Sequence, residues 1–235
     1  MARATARPIS VLIVDDERTF GEALQLALRH ERDLVVVDVA TDGEAAVRAT
    51  LAHHPDVVLM DVAMPGMSGI EATRRIKEVD PEAEVLILSG HEDPLLLARA
   101  VQAGAVGLLR KTEAVVQVAS SVRRAYRGEP IHDEDEVERA LRRLRHRRAA
   151  DADARQRLER LTPRERQILE RMATGAQAPE IARSLGMSPH TLRTHTQNIL
   201  MKLGVHSKME ALVLAIRHGI VTTVDISEER EDVVG

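Results

Sequence analysis

Val11-Leu-Ile-Val-Asp-Asp-Glu17 begins with four consecutive apolar residues and ends in three acids. A short run rich in Val, Ile and Leu reads as a strand buried on both faces. Four more runs have this character: Leu34–Val39, Val57–Met60, Val85–Leu88 and Gly107–Leu109. The stretches between them carry apolar residues at helical spacing. Phe20, Leu24, Ala27 and Leu28 share one face, and Ile70, Thr73 and Ile76–Lys77 share another. Ala98, Val101 and Gln102 lead to Gly104, a helix stop. Strand–helix alternation repeated five times predicts an α/β, doubly wound, five-stranded parallel sheet. In such sheets ligands lie at the carboxyl ends of the strands.

The residues at those ends have matching chemistry. The first run ends in Asp15-Asp16-Glu17, the third in Asp61, the fourth in Ser89 and the fifth in Lys111. Crowded carboxylates repel one another unless a hard cation sits among them, and Mg2+ favours a few carboxylates, a carbonyl and waters. A Lys ammonium and a Ser hydroxyl supply donors for phosphoryl oxygens. Such a set suits phosphoryl transfer to a carboxylate. Singly, each element is ordinary: an Asp-Asp after a strand is usually a turn. Their appearance together, in order and at the right strand ends, carries the reading.

These segments are Val11–Glu17, Leu59-Met-Asp-Val-Ala-Met-Pro-Gly-Met-Ser-Gly69, Ile87-Leu-Ser-Gly90 and Gly104-Ala-Val-Gly-Leu-Leu-Arg-Lys111. Together they resemble the receiver domain of two-component response regulators, which is flavodoxin-like, over residues 9–127. The resemblance implies that Asp61 accepts a phosphoryl group from a histidine kinase. It implies that Asp16 binds Mg2+ directly, that Asp15 assists, and that the backbone carbonyl of Ala63 completes the metal site. Ser89 then moves to hydrogen-bond the aspartyl phosphate, and Lys111 pairs with it. One residue departs from the pattern. Leu108 stands where family members often carry an aromatic that swings inward, so the signal is expected to travel through the Ser89 loop and the helix around Asp93–Ala103. A haloacid-dehalogenase-type phosphatase would need a second Asp two residues after the first, and that position is Ala63.

The rear of the chain is punctuated differently. Thr162-Pro-Arg-Glu165 is a capping box with Pro at the first helical position, followed by Ile168, Leu169, Met172 and Ala173 on one face. Ile181, Ala182 and Leu185 mark a short helix that stops at Gly186. Ser188-Pro189 opens a third helix with Leu192, Ile199, Leu200 and Leu203 on its apolar side. Ser207-Lys-Met-Glu210 is another capping box, opening a fourth helix through Arg217 that Gly219 ends. A short helix, a tight turn and a longer helix form a helix-turn-helix, whose second helix enters the major groove. Arg193, Thr194, Gln197 and Met201 face outward there. Arg and Gln can read base edges and Thr a thymine methyl, while Ser188, Thr191, His195 and Lys202 are placed for phosphates. Leu161–Arg166, Glu180-Ile-Ala, Ser188–His195 and Leu200–Val205 resemble the LuxR-type helix-turn-helix of NarL-subfamily response regulators, over residues 158–219. By that resemblance the helix Lys208–Arg217, through Lys208, Ala211, Leu212 and Ala215, makes the dimer contact on double-stranded DNA. Pro179 replaces the basic residue usual before Glu-Ile-Ala, so one phosphate contact is lost.

Charge follows the same division. The chain of 235 residues has a net charge of −4. Residues 9–127 hold 19 acids and 13 bases, whereas residues 158–219 hold 5 acids and 9 bases. An acidic front module and a basic rear one imply different partners. There is no Cys, so disulfides, thiolate metal sites and thiol nucleophiles are excluded. One Phe and one Tyr are too few for stacking on single-stranded nucleic acid. No apolar run approaches the roughly 20 residues of a membrane span, and Met1–Pro8 precedes no signal-peptide core. A cytoplasmic location without membrane contact is the expectation. Residues 1–8 read as a disordered arm, 128–157 as a solvated helical linker with six arginines between Arg139 and Arg148, and 220–235 as an acidic tail. The whole describes a phosphorylation-controlled DNA-binding regulator that forms a homodimer when phosphorylated, not a metabolic enzyme. Its alternative is a phosphorylation-independent DNA-binding protein whose receiver only dimerises or docks.

Overall fold

The computed structural model describes residues 7–91 and 93–221. The chain divides into two compact units, residues 1–145 and 146–235.

In the first unit β1 (Ile9–Val14), β2 (Leu34–Ala40), β3 (Val57–Asp61), β4 (Glu84–Ser89) and β5 (Gly107–Arg110) alternate with α1 (Arg18–Leu28), α2 (Gly43–His53), α3 (Gly69–Val79), α4 (Leu96–Ala103) and α5 (Val115–Tyr126). All strand pairs are parallel, in the order β2-β1-β3-β4-β5. Alternate residues of each central strand point to opposite faces. Leu12, Val14, Val58, Met60, Val85 and Ile87 pack with Ala46, Ala72, Ile76 and Ala100 of α2, α3 and α4. Val11, Ile13, Val57, Leu59, Leu86 and Leu88 pack with Leu24, Leu28, Val118 and Val122 of α1 and α5. Coverage of both faces is why the central runs are continuously apolar.

β2 departs from that expectation. It is an edge strand, and Val35 on it is exposed. It also carries a bulge, where Val11 pairs with Val36 but Leu12 pairs with Asp38. Only one side of an edge strand is paired, so its apolar residues need not all be buried.

The connector departs further. α6 (Glu134–Glu159) is one helix of 26 residues. The expected solvated linker instead buries Ala140 and Leu144 against Leu97 and Ala98 of α4, with Leu141 beside them. Small residues on α4 leave room for the apolar stripe of α6 to dock.

The second unit contains α7 (Pro163–Ala173), α8 (Ala178–Ser184), α9 (Pro189–Leu203) and α10 (Lys208–Arg217). Leu158, Leu161, Ile168, Leu169, Ile181, Leu192, Ile199 and Leu203 form its core. Thr162 and Glu165 make the expected reciprocal cap: Glu165 N–H donates to Thr162 Oγ1 at 3.3 Å and Thr162 N–H to Glu165 Oε2 at 2.8 Å. At α10 Ser207 caps Glu210 N–H at 3.1 Å, but the Glu210 carboxylate takes His206 N–H, one residue earlier than a capping box requires. The termini shift the other predicted boundaries. Arg7 pairs with Asp56 at 2.7 Å rather than belonging to a free arm. Val221 and Ile220 join the core rather than the acidic tail, because they are apolar and α10 ends beside it. Residues 1–6 and 222–235 of those predicted segments lie outside the described residues.

Candidate functional site

The strand order places a topological switch point between β1 and β3, where the chain turns from one side of the sheet to the other. Asp15 follows β1 and Asp61 ends β3 at that point. Both are buried, at 0% and 2% exposure, whereas Asp16 is exposed. One carboxylate oxygen from each of the three lies within 4.8 Å of the others, an acidic pocket able to hold a metal ion.

Lys111 follows β5 and closes the pocket. Its ammonium lies 2.7 Å from Asp15 Oδ2 and 3.1 Å from Asp61 Oδ1. Lys111 N–H also donates to Ser89 C=O at 2.9 Å, tying the end of β5 to the end of β4. The ammonium lies 4.8 Å from the centre of the Phe20 ring, a cation–π contact that holds it over the site. Phe20 is a functional neighbour that the helical face of α1 did not reveal; as the chain's sole Phe, four residues after Asp16, it carried a signal.

Burial pushes the Asp61 carboxyl above its ordinary pKa. Lys111 opposes that shift, the Asp15 charge adds to it, and the Ala63 N–H lowers it again. Burial also works against the Lys111 ammonium, but its pairs with Asp15 and Asp61 prevail and hold its pKa above the ordinary value. Beyond its ion pair with Lys111, Asp15 Oδ2 makes no hydrogen bond, so a buried anionic oxygen keeps coordinating capacity.

Ser89 is buried at the end of β4, but its hydroxyl is turned into its own loop. Oγ donates to His91 C=O at 2.9 Å and accepts His91 N–H at 3.1 Å. Asp93 accepts Leu95 N–H at 2.8 Å before α4 begins. Leu108 is half-buried on β5. Gly69, which opens α3, is the second residue whose role the sequence reading missed. A Cβ there would lie 1.9 Å from the Asp61 carbonyl oxygen, so only glycine lets α3 seat against the end of β3.

On α9 the outward row is as expected: Arg193, Thr194, Gln197 and Met201 are exposed, as are Ser188 and Thr191, with His195 half-buried. Ser188 Oγ caps α9 by accepting Thr191 N–H at 3.1 Å and sits 2.9 Å from Thr191 Oγ1. Lys202 differs from expectation. Its ammonium is committed to the buried Glu165 carboxylate at 2.7 Å, so it braces α9 against α7. Gln177 N–H donates to Glu180 Oε2 at 2.9 Å, a cap that Pro179 accommodates near the start of α8.

On α10 the expected contact set is corrected. Ala211 and Ala215 are buried in the unit's own core and present no surface. Lys208 is exposed and Leu212 half-buried. The exposed apolar residues of α10 are Met209, Val213 and Ile216. The small residues face inward because they allow close helix packing, which leaves the larger ones outside.

No helix among the described residues is long and apolar enough to cross a membrane. Residues 11–123 match the family model for the response regulator receiver domain, and residues 159–215 that for bacterial regulatory proteins of the luxR family. Response regulator UvrY of Escherichia coli K12 is 33% identical over 222 residues, covering 94% of this chain and all of that protein. The probable transcriptional regulatory protein NarL of Mycobacterium tuberculosis H37Rv is 32% identical over 221 residues, again 94% of this chain and all of the relative. The crystal structure of response regulator ChrA of a heme-sensing two-component system aligns with a TM-score of 0.51 at 29% identity, over 92% of this chain and 100% of that one. With an acidic pocket and Lys at the carboxyl edge of the sheet and a helix-turn-helix in the second unit, the chain belongs to the NarL/LuxR-type response regulators, transcription regulators that join a receiver domain to a LuxR-type DNA-binding domain and are not metabolic enzymes.

Proposed function

We propose that Asp61 is the phosphoacceptor, that a partner histidine kinase supplies the phosphoryl group, and that the phosphorylated protein dimerises on double-stranded DNA. The observation that carries this reading is the Lys111 ammonium shared between Asp15 and Asp61, beside Asp16. An Asp61 oxygen attacks the phosphorus of a phosphohistidine. The P–N bond breaks, the imidazole takes up a proton, and an acyl phosphate remains. Its later hydrolysis by water, at the same residues, is the only catalysis assigned to this site. Burial raises the basicity of the Asp61 carboxylate and so its nucleophilicity, while Lys111 keeps a positive charge beside the transferred group. Asp15, Asp16, Asp61 and the Ala63 carbonyl are the residues to hold Mg2+, which neutralises charge on phosphoryl oxygens when bound. Ser89 leaves His91 to hydrogen-bond the phosphoryl group.

On the DNA side, Arg193, Thr194 and Gln197 read bases, and Ser188, Thr191 and His195 contact phosphates. Lys202 is retained as a brace rather than a phosphate ligand. Met209, Val213 and Ile216, flanked by Lys208 and Leu212, form the apolar face through which α10 meets its copy. The domains are the receiver, from Arg7 to residue 127, and the helical unit, from residue 158 to Val221, joined by 128–157, and the protein works in the cytoplasm.

The test is the intact mass of the wild type and Asp61→Asn after incubation with Mg2+ and a small phosphodonor. A gain of one phosphoryl group by the wild type alone supports the reading. If neither gains it and beryllofluoride does not bind, phosphorylation-independent DNA binding replaces it.

A further inference from the structure

The face formed by α4 and β5 has an occupant, and it is the chain's own connector. β5 is an edge strand, so the outward N–H and C=O of Leu108 have no strand partner. His132 Nε2 lies 3.1 Å from each of them, and its Nδ1 lies 3.2 Å from Glu136 Oε2. The residue before it, Ile131, sits on Gly107, where a Cβ would come within 2.7 Å of the Ile131 side chain. Ala140 and Leu144 then cover Leu97 and Ala98. Residues 131–144 therefore grip two elements that adjoin the acidic pocket: β5, which Lys111 follows, and α4, which follows the Ser89 loop.

The loop that leads into α4 is set by bonds of the Ser89 hydroxyl. Ser89 Oγ is held in its loop by His91. To reach a phosphoryl group on Asp61 it gives up both bonds, and the loop and the start of α4 move with it. Ala140 and Leu144 then lose the surface they are packed on. Leu108 takes part through its backbone, which meets His132, and through its side chain, which packs beside the cluster of Leu97, Ala98, Ala140 and Leu144.

We infer that residues 131–144 are a latch, pinned by His132 on the Leu108 backbone, closed over the unphosphorylated receiver and opened by phosphorylation of Asp61. The inference rests on Asp61 being the phosphoacceptor. His132 is a positioning residue and touches no phosphoryl group. A glutamine in its place keeps the pin, because a carboxamide offers one acceptor for the Leu108 N–H and one donor for its C=O.

The experiment is amide hydrogen exchange of the full chain with Mg2+, with and without beryllofluoride, read on peptides covering 131–144. Loading is read first, from the fluorine resonance of the bound mimic. In the wild type, exchange over 131–144 rises at least about tenfold on loading. His132→Ala exchanges at that raised rate before loading and gains little more, and His132→Gln restores the wild-type contrast. Absence of loading overturns the phosphoacceptor reading, and the opening of the latch with it. Loading with unchanged exchange over 131–144, or His132→Ala with wild-type protection, overturns the latch alone.

Discussion

Substituting Gly69→Ala strikes Asp61, the proposed phosphoacceptor, through the backbone. The added Cβ would lie 1.9 Å from the Asp61 carbonyl oxygen, 2.9 Å from its carbonyl carbon and 3.0 Å from Val62 Cα. All three neighbours are main chain, so no side-chain rotation relieves the clash. Separating the Cβ from the oxygen to even 3 Å requires α3 and the end of β3 to part by about 1 Å. Gly69 N–H donates to Val62 C=O at 3.1 Å, and that bond stretches with them. Overpacking of this kind costs about 1–3 kcal/mol, or a fall in melting temperature of roughly 2–12 °C for a chain of this size. A displacement of about 1 Å at a reacting group costs on the order of 100-fold in rate, and the Asp61–Lys111 contact of 3.1 Å is short enough to be lost by it. The assay is the time course of phosphoryl gain by intact mass, beside a thermal melt followed by circular dichroism. Gly66→Ala is the control. Gly66 has φ +74° with open space around it, so alanine there costs about 1–2 kcal/mol of left-handed strain and leaves the rate within about twofold. Wild-type phosphorylation and melting in Gly69→Ala would refute the claim that close α3–β3 contact positions Asp61.

Two further outcomes follow from the second unit. Glu165 is 3% exposed at its side chain and accepts from Lys202 and Thr162; burial works to raise its pKa, but those partners hold it below the ordinary value. A depressed folded pKa contributes stability above the unfolded value of 4.5, which is lost as pH falls through the folded one. Glu165→Gln should therefore lower the urea stability of the helical unit by about 1.5–3 kcal/mol at pH 7, with the gap to wild type closing as pH falls below the unfolded value of 4.5 and through the depressed folded one; a gap that persists at low pH would count against the ion pair. Arg193→Ala should weaken binding to a selected DNA site by about 1–3 kcal/mol while changing affinity for random duplex much less. Equal losses in a fluorescence anisotropy titration of both duplexes would assign Arg193 to phosphate rather than base contact.

The sequence by itself determined what depends on neighbouring residues. Five Val/Ile/Leu runs became the five strands, and the acids, Ser89 and Lys111 fell at their carboxyl ends, because strand length and a parallel sheet carry every such end to one edge. Thr162 with Glu165 and Ser188 with its proline announced helix starts, because a cap is a bond between residues three apart. Tertiary structure decided what depends on residues far apart in the chain. Val35 is exposed because β2 lies at the sheet's edge, which pairing order sets and hydropathy does not. Ala211 and Ala215 face the core while Met209 and Val213 stay outside, since a short apolar helix does not say which side its neighbours take. Lys202 reads as a DNA contact until Glu165, 37 residues earlier, is seen beside it. His132 and Leu144 look like linker residues until β5 and α4 lie beneath them, and Gly69 looks like a turn glycine until the Asp61 carbonyl stands where its side chain would be.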